Sequence, residues 1–132
     1  MKWTYSCPHC KAMLNPQDAI ILVAEFEGRT WLVGFHPEPG EYEVFVPPGV
    51  KIAMGERWSF RCPMCGADLM TDFSSDLCAI DIHTEDEDHR VFFSRIAGEY
   101  ATFVVSAEGL RSKHGKDAEV YEQETAHMKY LL

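Results

Sequence analysis

Two short stretches of this chain are near-copies of each other, and each carries two cysteines separated by two residues. Trp3-Thr4-Tyr5-Ser6-Cys7-Pro8-His9-Cys10-Lys11-Ala12-Met13-Leu14 aligns with Trp58-Ser59-Phe60-Arg61-Cys62-Pro63-Met64-Cys65-Gly66-Ala67-Asp68-Leu69. The tryptophan, both cysteines, the proline, the alanine and the leucine are identical in the two copies, and Tyr5/Phe60 and Thr4/Ser59 are close. A single C-x-x-C says little. Two copies with matching flanks strongly constrain the fold, because the chain must bring both turns together if all four sulfurs are to share one ion.

The local chemistry explains the pattern. Trp-x-aromatic before the first cysteine of each pair alternates as a strand does, with both rings on one face. In the C-P-x-C turn the proline fixes one dihedral and removes one backbone donor. The remaining amides then face the first sulfur. Gly66 suits a tight exit that needs positive φ, and Lys11 fills the same place less comfortably. Each pair supplies two ligands, so Cys7, Cys10, Cys62 and Cys65 complete a tetrahedral four-sulfur site. A catalytic zinc keeps one position open for water, whereas four thiolates close the shell, so the expected role is structural and no catalytic residue is assigned.

In these two stretches the chain resembles the zinc-ribbon class and, more loosely, bacterial domains defined by two C-P-x-C motifs. The resemblance covers about two dozen residues. It implies bound Zn²⁺ and a local shape, and no particular task, since zinc ribbons serve many. Cys62-Pro63-Met64-Cys65-Gly66 also resembles the second metal turn of rubredoxin, which makes iron the alternative cofactor. Lys11 and the long spacing between the pairs depart from that family. Cys7-Pro8-His9-Cys10 matches a thioredoxin-type redox tetrapeptide. That motif needs a βαβ setting and would leave the second pair unexplained.

At 132 residues the chain is long enough for a real core, and its 46% apolar content excludes wholesale disorder. Its charge of −9 is uneven. Residues 1–70 carry six Lys/Arg and eight Asp/Glu, whereas residues 71–132 carry six and thirteen. An acidic second half argues against nucleic acid and against anionic membrane surfaces. A nucleic-acid role for the first half requires Lys2, Lys11, Arg29, Lys51, Arg57 and Arg61 to cluster on one face. The start, Met1 to Cys7, lacks the apolar run of a signal peptide, so a cytoplasmic location is expected, where thiols stay reduced and bind metal.

Between the knuckles the pattern is β. Ala19 to Glu27 and Thr30 to His36 read as a hairpin around Gly28-Arg29. Pro37 to Gly40 is a turn, Tyr42 to Val46 alternates, and Val50 to Met54 and Glu56 to Arg61 read as short strands. With Trp3 to Ser6 they are expected to form one small sheet capped by the metal. Beyond Leu69, Cys78 to Thr84 reads as a strand, and Val91 to Ile96 and Tyr100 to Ser106 as a hairpin. Gly109 and Gly115 bracket an irregular stretch. Ala118, Tyr121, Thr125, Met128 and Leu132 share helical spacing, which predicts an amphipathic helix from Asp117 to Leu132 packed on the second β region.

The expected fold is therefore mainly β, of the α+β class: a split zinc ribbon with an inserted antiparallel sheet, a second small β region and a C-terminal helix. Residues 1–70 form the ribbon-type domain. Residues 71–132 form an acidic hairpin region, either separate or packed on the first as one unit.

Other residues carry weaker signals. Cys78, the odd cysteine, reads as a buried free thiol. His83 and His89 flank the acidic loop near Asp81, Asp86 and Asp88, and offer a possible weak second metal site. The calcium-loop spacing is not met there. His9 lies inside a knuckle whose ligands are already complete, His36 is a turn residue, and His114 and His127 carry no motif. No phosphate-loop, dinucleotide, nucleophile-elbow or H-E-x-x-H motif occurs. The expected function is a zinc-stabilised module acting by protein–protein contacts or as a homo-oligomer. The alternatives are a rubredoxin-like electron carrier, or an enzyme whose His and acidic groups converge in a pocket of the β region.

Overall fold

The computed structural model describes residues 3–85 and 87–128. Among the described residues nine strands form two antiparallel sheets. The first sheet has the order β1 (Thr4–Ser6), β6 (Leu77–His83), β7 (Asp88–Ser94), β8 (Thr102–Ser106) and β9 (Gly109–His114). The second has the order β4 (Val44–Phe45), β3 (Arg29–Phe35), β2 (Ile20–Phe26) and β5 (Ser59–Arg61).

The β2–β3 hairpin forms where the apolar pattern places it. Its two-residue turn is Glu27-Gly28, one position earlier than expected, with both residues at positive φ. That is the turn geometry whose twist matches the flanking strands. Ile20, Leu22 and Ala24 on β2, with Val33 and Phe60, turn toward Tyr5, Ile80, Ile82 and Val91 of the first sheet. Their common core lies between the two sheets.

β6 lies between β1 and β7 in the first sheet and reads apolar almost throughout. Leu77 and Ala79 enter one core, while Cys78, Ile80 and Ile82 enter the other. Strand alternation thus divides one run of buried residues between two faces, the signature of a strand covered on both sides. Phe92 on β7 and Phe103 and Val105 on β8 complete the outer core, which the C-terminal segment covers with Ala118, Tyr121 and Met128.

That segment is not a helix, so the chain is almost wholly β rather than α+β. Among the described residues it forms two 3₁₀ turns, Ala118–Tyr121 and Glu124–His127. Two features of the sequence work against the α-helix. Asp117 does not cap the segment, because its carboxylate accepts the Tyr100 amide at 2.9 Å. Thr125 Oγ1 donates to the Glu122 carbonyl at 2.6 Å, a local bond that competes with helical pairing. Of the stripe, Ala118 and Tyr121 are three residues apart and fit a single 3₁₀ turn, whereas Met128 is buried just past the second turn in extended backbone. Leu132, the last member of the expected stripe, lies outside the described residues, as do Met1, Lys2 and Asp86.

Three further expectations are corrected. Thr4–Ser6 pairs with β6, in register Ser6↔Asp81, and so joins the first sheet rather than the strands between the knuckles. β6 is apolar on both faces, and β1 supplies its second hydrogen-bonded edge. Residues 50–54 are not a strand, since they follow Pro47-Pro48-Gly49 and make an exposed loop with a turn at Met54–Gly55. The stretch from Gly109 to His114 is a strand. Its polar Arg111, Ser112 and Lys113 hid it, and charged side chains are what a sheet edge tolerates. No helix among the described residues is long and apolar enough to cross a membrane.

Candidate metal centre

The two knuckles adopt the same hydrogen-bonded shape. In the first, the Cys7 amide donates to the Ala12 carbonyl at 3.0 Å, and Lys11 N donates back to the Cys7 carbonyl at 2.9 Å. In the second, Cys62 N donates to Ala67 O at 3.0 Å, and Gly66 N donates to Cys62 O at 2.9 Å. Leu14 N reaches Tyr5 O at 2.8 Å, and Leu69 N reaches Phe60 O at 2.9 Å. The identical alanine and leucine of the sequence repeat therefore occupy identical places in the backbone.

Each first cysteine is buried and each second one exposed. The proline leaves the next two amides to serve the first sulfur. Cys7 Sγ accepts from His9 N at 3.3 Å and Cys10 N at 3.5 Å, and Cys62 Sγ accepts from Met64 N at 3.4 Å. Such bonds favour a thiolate over a thiol.

The knuckles bring all four sulfurs together. Their ligand atoms lie within 4.8 Å of one another. Cys7 and Cys65 sulfurs are 3.8 Å apart, and those of Cys10 and Cys62 are 3.7 Å apart. A tetrahedron built on metal–sulfur bonds of about 2.3 Å has edges of about 3.8 Å. Sulfurs this far apart are not disulfide-bonded, and all five cysteines are free. The donor set, the spacing and the amide support all fit one tetrahedral cation.

The short distances cross from one knuckle to the other, and the knuckles hang from different sheets. β1 leads into Cys7 from the first sheet, and β5 leads into Cys62 from the second. A cation held here ties the two sheets together at one end of the sandwich.

The thiols do not share charge equally before a cation arrives. Burial pushes the Cys7 thiol up to about 12, against the opposing pull of the Cys10 and His9 amides. Burial also acts upward on Cys62, but the Cys65 and Met64 amides and the Cys10 and Cys7 thiols outweigh it, and its value is lowered. Cys62 is accordingly the first of these two to ionise.

The remaining candidates fall elsewhere. Cys78 sits in the core on β6, where burial pushes its thiol up to about 12. His83 and His89 are not brought together. His83 pairs with Asp88 across β6–β7, so the neighbouring His89 turns to the opposite face. His83 Nδ1 lies 2.7 Å from Asp88 Oδ1, and His89 Nε2 lies 2.8 Å from Glu87 Oε1. The four cysteines are the one metal-competent group among the described residues.

Sequence reading missed a side-chain chain beside the metal end. Ser6 Oγ lies 2.7 Å from His83 Nε2, and the other ring nitrogen is held by Asp88. A serine, a histidine and an aspartate so connected are the parts of an acyl-transfer triad. Ser6 is only 4% exposed, which leaves no approach for a substrate carbonyl. The chain therefore locks β1 to β6. Nothing in the spacing of residues 6, 83 and 88 could have shown it. Beside it, Asp81, 1% exposed, accepts from Arg90 Nε at 2.7 Å and Nη2 at 3.4 Å.

No family model matches the chain, and neither characterised proteins nor solved structures yield a match.

Proposed function

We propose that the protein is a zinc-stapled β module that works by binding another protein, in a reducing compartment such as the cytoplasm. The observation that carries this reading is the closed four-thiolate set joining the two sheets. A cation with four protein ligands has no open position for substrate or water, so it serves structure. Zinc is favoured over iron because structural four-cysteine sites in ribbon-like knuckles are its usual setting, and because thiolates persist where disulfides are rare.

Binding at the metal end is supported by its surface. Met13, Met64 and Met70 lie within a few residues of ligand cysteines, and all three are exposed. Methionine is adaptable and polarisable, and is favoured on surfaces that receive a partner. The net charge of −9 selects a partner with a basic rim. Enzymatic readings are less well supported. Ser6 is covered, and the imidazole of His36 already accepts the Glu38 amide at 3.1 Å.

Met64→Asp tests the reading without touching a ligand. Partner capture from cell extract by the native chain, lost in the variant at equal metal content and equal melting temperature, supports it. Equal capture by both proteins contradicts a partner site at the metal end. Concentration-dependent sedimentation of the native chain, abolished by the same variant, replaces the foreign partner by a second copy.

A further inference from the structure

Between the two sheets lies a cavity of about 370 Å³. Its size is at the small end of the range for ligand pockets, about 300–1,000 Å³. Its walls come from both sheets: Leu22 and Phe35 from the second, Ile80 and Phe93 from the first. Exposed Ile52 and Met54 also line it and mark its mouth. Walls of this kind take up an apolar body by excluding water from it. They solvate a full charge poorly, so a charged group on the same ligand stays at the mouth.

The mouth selects the sign of that charge. Among the lining residues the acidic groups are Glu38, Glu41 and Glu99, against one arginine, Arg95. The Arg95 guanidinium is engaged, donating to the Ser75 and Trp58 carbonyls and to Ser59 Oγ. His36 Nδ1 accepts the Glu38 amide at 3.1 Å, so that ring nitrogen carries no proton and the imidazole adds no positive charge. Glu99 Oε1 accepts from Ser94 Oγ and the Tyr121 hydroxyl, which hold it toward the outer core.

Glu38 and Glu41 are different. Both are exposed, and neither carboxylate has a hydrogen-bond or ion-pair partner among the described residues. A turn closed by the Glu41 amide on the Glu38 carbonyl at 3.1 Å sets them on one rim. The next residue fixes that turn to the first sheet, because Tyr42 stacks on Tyr100 at 4.6 Å and its hydroxyl lies 2.9 Å from Thr102 Oγ1. The Glu38 charge is felt inside the cavity: it adds to burial in raising the hydroxyl of Tyr5, a wall residue. An anionic head group would meet two carboxylates and no available cation, whereas a cationic one finds both carboxylates unpaired.

We infer that this cavity binds a small organic cation, an apolar body bearing one ammonium group, with the body between the sheets and the ammonium at the rim against Glu38 and Glu41. The proposal is independent of the metal-end partner.

The test titrates the full, metal-loaded chain with octylammonium and, separately, with octanoate. The methyl cross-peaks of Leu22 and Ile80 and the intrinsic fluorescence are followed. Saturable octylammonium binding that shifts both methyl groups is expected, and octanoate should bind at least about tenfold more weakly. The double variant Glu38→Gln, Glu41→Gln should lose most of that preference at unchanged metal content and melting temperature. An absence of saturable binding overturns the proposal. Binding that leaves the Leu22 and Ile80 methyl groups unmoved also overturns it, since it reports general attraction to an acidic surface. Octanoate binding as tightly as octylammonium, or a full preference retained by the double variant, does the same.

Discussion

Lys11 and Gly66 occupy the same place in two copies of one turn, and both hold the backbone in the left-handed region, at φ 67° and 74°. The hydrogen-bonded C-P-x-C knuckle imposes that geometry, whatever residue fills it. Glycine adopts it freely, whereas a side chain pays about 1 kcal/mol or more. The exposed Lys11 gains only a 3.2 Å bond to the Pro8 carbonyl and a 4.0 Å approach to Asp81 in return. Lys11→Gly should therefore stabilise the protein by about 0.5–1 kcal/mol, and Gly66→Lys should destabilise it by a similar amount. A Cβ on Gly66 would meet nothing within 4 Å, so the backbone alone is tested. Denaturant midpoints of the two variants check the opposite signs.

Cysteine replacements separate ligand from core. Cys62→Ser removes one corner of the four-sulfur set and should abolish stoichiometric metal binding and lower the melting temperature sharply, since metal binding and folding are coupled. Cys78→Ser puts a hydroxyl into the core and should cost about 1–3 kcal/mol while leaving metal content intact. Metal analysis beside thermal melts of both variants distinguishes the roles.

The Cys78 thiol also sets a pH dependence. Burial chiefly, with Asp68 adding to it, raises the value from 9.0 to about 12 in the folded chain. The folded state therefore holds a proton that the unfolded state releases first. This contribution is complete below pH 9 and is lost as pH rises through about 12. Stability should fall between those limits, and fall less in Cys78→Ala. The metal responds with the opposite sign. Protons compete for the four thiolates, so metal affinity should weaken as pH falls. Denaturation at alkaline pH and metal release under acid titration measure the two effects.

Asp81 lies in one row with Ser6 and Arg90 across three strands. Replacing it by alanine removes the carboxylate that receives the Arg90 fork from a nearly closed site. A loss of about 3 kcal/mol is expected, because breaking a buried pair leaves its desolvation cost behind. Urea unfolding of Asp81→Ala checks it, and a loss under about 1 kcal/mol would mean that solvent already screens the pair.

The four-cysteine cluster was legible because its information is local and repeated. Trp, aromatic, Cys-Pro-x-Cys and Ala-x-Leu recur at one spacing, and both copies fold alike. The β2–β3 hairpin was legible for a similar reason, its apolar runs flanking a turn with glycine. What stayed hidden depends on partners far away in sequence. β1 could not be assigned to β6, because Ser6 and Asp81 meet only in the folded sheet. β9 looked irregular because an edge strand needs no apolar residues. Of the expected stripe, Ala118, Tyr121 and Met128 are buried and Thr125 is half-buried, and the spacing did not give their conformation, which answers to Asp117 bonding back to Tyr100 and Thr125 to the Glu122 carbonyl. The relay from Ser6 through His83 to Asp88 likewise has no trace in spacing.

The most direct test is metal content per chain, measured together with thiol titration before and after chelation. One zinc per chain, with four further thiols becoming reactive on chelation and Cys78 needing denaturant, is the expected result. A metal-free protein whose Cys7, Cys10, Cys62 and Cys65 react from the outset would contradict the staple between the sheets.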